Sequence, residues 1–242
     1  MAMLSACSSR FLLLSLSILS LPWLTNKLYY PYARSTFWND PTSAFFNATR
    51  AYSHRYSAYR YSQAEAFLDT VHDVEFKRNA TTTPPWLCVG MPSIRRPEGL
   101  YFRGAMGSLL SQLRLEERNQ IHLLPMIAHI DPNQHPVYNE PWLHNVADSI
   151  LLYNHDDQDY EHIAELEAER ARTGVPDREK HMWDYSYLMR QCKETGAEYV
   201  LLLEDDVLAL DGWFHRIKAA LKDVEARTRA YGDRTCIYLI FQ

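Results

Sequence analysis

Several patterns that would assign a function directly are missing from this sequence. Its 242 residues include only eight glycines, and no G-x-G-x-x-G, P-loop, G-x-S-x-G or H-E-x-x-H pattern occurs. Dinucleotide oxidoreductases, serine hydrolases and zinc proteases therefore lose their usual sequence support. The four cysteines have no C-x-x-C spacing, which excludes zinc-ribbon and thioredoxin-like sites and leaves at most one or two disulfides.

The sequence also lacks an excess of basic residues. Twenty-five Lys and Arg stand against 30 Asp and Glu, which gives a net charge of −5. Because a nucleic-acid-binding surface needs clustered positive charge, we expect no nucleic-acid partner. With 47% hydrophobic and 23% charged residues, the composition is that of a folded protein of one or two domains.

A hydrophobic run near the N-terminus indicates membrane targeting. Residues 11–24, FLLLSLSILSLPWL, are apolar except for three serines. The run is shorter than the ~20 residues that cross a bilayer, so it is either a secretory signal or a short anchor. No A-x-A-like cleavage site follows, which favours an anchor over residues 1–26. The N-x-T sequons at Asn47 and Asn79 are glycosylation acceptors if this part of the chain is lumenal. We therefore expect a single-pass protein with its bulk in the lumen.

The rest of the chain divides into a predicted stem, residues 27–85, and a predicted α/β domain, residues 86–242. The stem is rich in tyrosine, its helical periodicity runs from Tyr52 to Leu68, and it ends in the linker-like NATTTPP of residues 79–85. The domain alternates apolar and amphipathic segments. Strands are predicted at 86–91, 121–130, 149–153, 199–203 and 237–241, and helices at 103–113, 138–147, 181–195 and 212–231. Pro125 predicts an edge or a bulge in the second strand. This alternation is typical of a sheet whose ligands bind at the carboxyl ends of its strands.

Three consecutive acidic residues carry the strongest chemical signal. Glu204, Asp205 and Asp206 directly follow YVLLL, a continuously apolar strand. Neighbouring carboxylates repel one another unless a cation offsets their charge. Oxygen ligands of this kind suit Mn²⁺ or Mg²⁺, which bind one or two carboxylates together with substrate phosphates.

Each candidate site has a plainer alternative. The acidic triplet is otherwise a solvated turn. The polar segment 154–162 holds metal-capable side chains but has the composition of a loop. Arg95 and Arg96 follow the first predicted strand, where they either pair with phosphate or are surface arginines.

Three stretches resemble the GT-A glycosyltransferases of the secretory pathway: VGMPSIRR (89–96), the K-x-x-x-D-Y block from Lys180 to Tyr185, and YVLLLEDDV (199–207). The N-acetylglucosaminyltransferase IV family shows a similar G-x-P-T-x-x-R strand exit and a K-x-x-x-D-Y block before its EDD. The post-GPI-attachment-to-proteins factor 4 family, which adds N-acetylgalactosamine to the GPI glycan, is also similar. Its fungal-type members resemble this chain in the tyrosine-rich stem before QAEAF (63–67), and this second resemblance is favoured.

The resemblance implies a GT-A, Rossmann-like nucleotide-sugar domain with a UDP-sugar donor and Mn²⁺ (or Mg²⁺). It places Pro92 and Arg95 near the nucleotide, and Lys180 and Asp184 near the uridine diphosphate. Asp206 would be the main metal ligand and Glu204 would help to bind the metal or the ribose, with Asp205 between them at the cofactor. No residue is assigned as the catalytic base.

The family pattern also differs from this chain. A complete GT-A domain continues beyond its EDD through strands that hold the acceptor, and the factor 4 family carries a tandem pair of membrane helices, whereas no run of ~20 apolar residues follows Leu24. We therefore expect a donor half that is incomplete at the C-terminus. The predicted function is transfer of an N-acetylhexosamine, favouring GalNAc, from a UDP-sugar to a GPI-anchor glycan at the Golgi or ER membrane. The alternative is a truncated, non-catalytic lumenal module that binds nucleotide, glycan or a protein partner.

Overall fold

The computed structural model describes residues 47, 58–79, 83–96, 101–175, 178–230 and 239–241. The predicted anchor, residues 1–26, lies outside these residues. Among the described helices, none combines the length and the apolar character needed to cross a membrane.

Strands and helices alternate along the described chain. The helices are α1 (Ala58–Thr70), α2 (Tyr101–Leu110), α3 (Leu115–Arg118), α4 (Pro141–Val146), α5 (Tyr160–Thr173), α6 (Arg178–Glu194) and α7 (Trp213–Ala230). The strands are β1 (Leu87–Ser93), β2 (Ile121–Ile127), β3 (Tyr199–Leu203) and β4 (Leu239–Phe241), and a 3₁₀ turn spans Pro132–Gln134.

The four strands form one parallel sheet in the order β2-β1-β3-β4. β1 lies between its neighbours, with Leu87 opposite both Ile121 and Tyr199. The chain runs from β1 outward to β2 and then crosses to the other side of β1 to form β3. This reversal creates a topological switch point between β1 and β3, where α/β sheets bind their ligands. The predicted α/β class is confirmed, and the topology is consistent with a Rossmann-like fold.

The central strands are apolar because both of their faces are covered. In β3, Leu201, Leu202 and Leu203 are all buried, as expected for an inner parallel strand. α6 packs on β1, and a disulfide between Cys88 and Cys192 joins the two elements.

The edge of the sheet differs in part from the prediction. Pro125 lies in β2, which is the edge strand among the described strands, and a missing N–H is tolerated there. The predicted strand at 149–153 is wrong, because only Leu151 pairs, through a single bridge to Met126. Before that bridge the carboxylate of Asp148, rather than a backbone carbonyl, accepts the Leu123 N–H at 2.6 Å.

Helix α5 was not predicted. Its sequence, YEHIAELEAERART, is rich in strong helix formers, buries only Ile163 and Leu166, and ends at Gly174 with φ of 68°. The helix was not predicted because its apolar stripe is narrow and the residues before it have the composition of a loop.

Helix α1, which falls within the predicted stem, packs closely on α2. Arg60 is fully buried and donates from Nε to the Ala209 carbonyl at 2.8 Å and from Nη2 to the Ser108 carbonyl at 2.7 Å. The fold contains two compact units. Tyr56–Ala209 and Thr228–Gln242 belong to one unit, which holds the sheet, and Leu210–Arg227, with most of α7, belong to the other.

Candidate functional site

A cavity of about 230 Å³ opens at the carboxyl ends of β1 and β3, at the switch point of the sheet. Three segments line it: the exit of β1, the residues after β3, and the first turns of α6. Its lining residues are Pro92, Ile94, Arg96, His181, Asp184, Tyr185, Glu204, Asp205 and Asp206. The volume lies below the ~300 Å³ of the smallest drug-sized pockets. It therefore suits part of a nucleotide sugar, such as the diphosphate, rather than the whole molecule.

All three residues of the acidic triplet line this cavity. Asp205 is only 4% exposed, whereas the side chain of Asp206 is 38% exposed. The solvated-turn alternative is therefore wrong for Asp205, whose carboxylate lies inside the protein.

Arg96 supplies positive charge to the triplet. Its Nη2 donates to Asp205 Oδ1 at 2.5 Å, and its Nη1 lies 3.5 Å from Asp206 Oδ2. The Nε of Arg96 is buried and has no hydrogen-bond partner among the described residues. Arg96 thus offsets part of the negative charge of Asp205 and Asp206.

The other oxygen of Asp205 is held from within the core. Ser93, the last residue of β1, donates from Oγ to Asp205 Oδ2 at 2.7 Å. His135 Nε2 lies 3.0 Å from the same Ser93 Oγ. Both residues are 2% exposed.

Burial and like charge raise pKa values around the triplet. Burial raises the pKa of Glu204, and the charges of Asp206 and Asp205 raise it further. Burial also raises the pKa of Asp205 on balance, although Ser93 and Arg96 act against it. The pKa of Tyr185 rises to about 12 through burial and the nearby triplet. The cavity therefore favours a cation that offsets these negative charges.

Lys180 and Asp184, one turn apart on α6, form a buried ion pair. Lys180 is 1% exposed, and its Nζ donates to Asp184 Oδ1 at 2.6 Å, to Tyr153 Oη at 2.9 Å and to the Ala128 carbonyl at 3.2 Å. Tyr153 Oη also donates to Asp184 Oδ1. Burial raises the pKa of Asp184, and the charge of Lys180 opposes this effect.

The residues predicted from the sequence are divided between two cavities. Pro92, Asp184 and the triplet line the one at the switch point. Arg95 and Lys180 instead line a second cavity of about 230 Å³, where they lie with His129 and Glu167. Arg95 and Arg96 line different cavities because consecutive side chains on an extended backbone project in opposite directions.

Sequence reasoning did not assign Ser93, His135 or His181 to the site, and it included Tyr185 only as part of the K-x-x-x-D-Y block. It considered Arg96 for phosphate binding but assigned only Arg95 to the nucleotide. A signal for Arg96 was present, because the G-x-P-T-x-x-R spacing counted from Gly90 ends at Arg96 rather than Arg95. The same pattern has a hydroxyl residue at the position of Ser93. No local pattern marks His135, which comes from the loop after the 3₁₀ turn.

The donor set suits a hard divalent ion. Within the described ranges, no group of three or more His, Cys, Asp or Glu side chains converges to hold a metal, and this includes the segment 154–162. Mg²⁺ and Mn²⁺ sites need only one or two carboxylates when phosphate oxygens and waters complete the shell. Asp206 and Glu204 fit that requirement, since both line the cavity and neither carboxylate is enclosed as that of Asp205 is.

Comparison with known proteins gives sequence relatives of one kind. Over 170 residues the chain is 27% identical to an alpha-1,6-mannosyl-glycoprotein 4-beta-N-acetylglucosaminyltransferase of Gallus gallus, a match that covers 65% of this chain and 36% of the relative. Over 139 residues it is 30% identical to the alpha-1,3-mannosyl-glycoprotein 4-beta-N-acetylglucosaminyltransferase C of Danio rerio, a match that covers 50% and 28% of the two chains.

The chain is related to glycosyltransferases. It spans about a third of the length of the curated relatives that it matches. No family model matches the chain, and no solved structure matches it.

Proposed function

We propose that this protein is a metal-dependent UDP-sugar glycosyltransferase that transfers an N-acetylhexosamine. One observation carries the proposal: the acidic triplet and Arg96, which are 108 to 110 positions apart in sequence, meet in one cavity at the switch point of a parallel sheet. The similarity to N-acetylglucosaminyltransferases supports the sugar class.

The residues divide into two roles. Asp206, with Glu204, would hold Mn²⁺ or Mg²⁺, and such an ion supplies Lewis-acid stabilisation of the departing diphosphate. Arg96 binds and orients the same diphosphate through its planar donor set. Asp184 and Tyr185 of α6 also line the cavity, and we assign them to the nucleoside.

For the acceptor, the resemblance of the tyrosine-rich stem before QAEAF (63–67) to the post-GPI-attachment-to-proteins factor 4 family favours a GPI-anchor glycan, with UDP-GalNAc as donor. The relatives are named instead for mannosyl-glycoprotein acceptors and for N-acetylglucosamine. We propose the GPI glycan as the acceptor, and the transfer experiment below also tests a mannosyl glycopeptide.

The proposed location is the Golgi or ER membrane, with the described residues in the lumen. The disulfide between Cys88 and Cys192 supports this location, because such bonds persist in oxidising compartments and are rare in the cytosol. The predicted anchor at 1–26 supports it from the sequence.

The first experiment measures donor binding by the full chain. UDP and Mn²⁺ together are expected to raise the melting temperature by mass action, and the Asp206→Asn variant is expected to lose this shift. Asp73→Asn, at an exposed carboxylate paired with His72, is the matched control and should retain the shift. If neither Mn²⁺ nor UDP stabilises the wild type, the proposal is wrong.

A second experiment measures transfer. The full chain is incubated with UDP-GalNAc or UDP-GlcNAc and with either a GPI glycan or a mannosyl glycopeptide. Transfer of GalNAc to the GPI glycan is the expected result. Transfer to the mannosyl acceptor alone would contradict the proposed acceptor, and donor binding without any transfer would favour the non-catalytic module.

A further inference from the structure

We propose that Ser93 and His135 are positioning residues that hold Asp205 as the fixed anchor of Arg96, and that Asp205 therefore does not coordinate the metal. This inference rests on the proposed function, since it assigns roles within the same donor site. It is drawn from a continuous chain of hydrogen bonds that runs from the core to the cavity, through His135, Ser93, Asp205 and Arg96.

The direction of each hydrogen bond follows from its neighbours. The Val137 N–H donates to His135 Nδ1 at 3.4 Å, so Nδ1 is an acceptor. In a neutral imidazole the proton then resides on Nε2, which donates to Ser93 Oγ. Ser93 uses its own proton for Asp205 Oδ2. Every donor in the chain thus points toward the carboxylate.

His135 is suited to this role because it stays neutral. Burial, together with the charge of His129, lowers the pKa of His135 to about 4. A neutral ring with one proton has only one way to satisfy both Val137 and Ser93. The tautomer therefore fixes the rotation of the Ser93 hydroxyl, which in turn fixes the carboxylate.

Both carboxylate oxygens of Asp205 are held by these contacts. Oδ2 accepts from Ser93 and Oδ1 accepts from Arg96, and the residue is 4% exposed. A metal ligand needs a lone pair directed into the cavity, and the more exposed Asp206 meets that need better. Asp205 instead holds Arg96 at the rim, with the buried Nε of Arg96 still without a partner among the described residues.

The test compares Ser93→Ala with Ser93→Thr in the full chain, and measures the affinity for UDP in the presence of Mn²⁺ by titration calorimetry. Supporting groups one shell away from a site commonly contribute tenfold or more, so Ser93→Ala is expected to weaken binding about tenfold. Ser93→Thr keeps the hydroxyl and is expected to restore most of the affinity. Ser111→Ala removes another buried hydroxyl, outside the cavity, and should bind as the wild type does.

A second readout does not depend on UDP. Side-chain ¹H–¹⁵N correlation spectra report the tautomer of each histidine, and His135→Gln identifies the signal of His135. We expect the neutral Nε2–H form in the wild type, because Val137 donates to Nδ1. In Ser93→Ala the Nε2 signal should shift, because that variant removes the partner of Nε2.

The outcomes separate the two claims. If the wild type does not bind UDP, the proposed function fails, and the tautomer spectra still decide whether the hydrogen-bond chain exists. If the wild type binds UDP but Ser93→Ala binds it equally well, the positioning role is overturned. An Nδ1–H ring in the wild type would overturn it as well.

Discussion

Reducing the disulfide between Cys88 and Cys192 should remove a large part of the stability of this fold. The bond joins β1 to α6 across a sequence separation of 104 residues, and both sulfurs lie in the core. In the chain-entropy treatment, a closed loop of ~100 residues restricts the unfolded chain by about 4.7 kcal/mol. Domains of this kind are stabilised by only ~5–15 kcal/mol, so reduction is expected to remove a third or more of the free energy of unfolding.

The assay is urea unfolding of the full chain, with and without reductant, in a background where Cys7 and Cys236 are replaced by serine. The free energy in water is obtained by linear extrapolation, and the Cys88→Ala, Cys192→Ala double variant serves as the control that reductant should not change. A loss below ~1 kcal/mol on reduction would refute the loop-closure reasoning. Titration of free thiols at both positions in protein secreted from an oxidising compartment would refute the bond itself.

Three further predictions concern stability, each measured by urea unfolding. Gly107→Ala should cost about 1–3 kcal/mol, because the added Cβ would lie 2.5 Å from the Ala64 carbonyl oxygen of α1; an unchanged midpoint would contradict this close approach. Lys180→Met should cost about 3–5 kcal/mol by leaving Asp184 buried without its cation, and Lys180→Met with Asp184→Leu should recover most of the loss. For His135, the folded-state pKa of about 4 lies below the ordinary 6.5, so the unfolded chain binds the extra proton first. Stability should fall as the pH drops from 6.5 to 4, by about 3 kcal/mol relative to His135→Gln, and parallel pH profiles for the two proteins would contradict the neutral ring.

These predictions test packing and charge separately from catalysis. The disulfide and Gly107 report on how the helices are held against the sheet and one another. Lys180 and His135 report on buried polar groups beside the cavity. If all four stability predictions are confirmed and the protein still does not bind UDP, the described fold is correct and the proposed function is wrong.

The sequence alone was sufficient for the elements that a local pattern determines. YVLLL is apolar at every position because β3 is covered on both faces, and the acidic triplet follows it because carboxylates are tolerated only where that strand reaches the cavity. The alternation of strands and helices was likewise sufficient for the α/β class. Local patterns failed at two places. Helix α5 was missed because its apolar stripe is narrow. Residues 149–153 were predicted as a strand, but this short apolar run forms only one bridge.

Tertiary structure decided which distant residues share the site. Ser93 and Asp205 are 112 positions apart, and Cys88 and Cys192 are 104 apart. Their meeting depends on β1 lying beside β3 and on α6 packing over β1, which no local periodicity encodes. The choice between Arg95 and Arg96 had the same origin, since consecutive side chains leave an extended backbone in opposite directions and only the neighbouring segments determine which direction leads to the triplet.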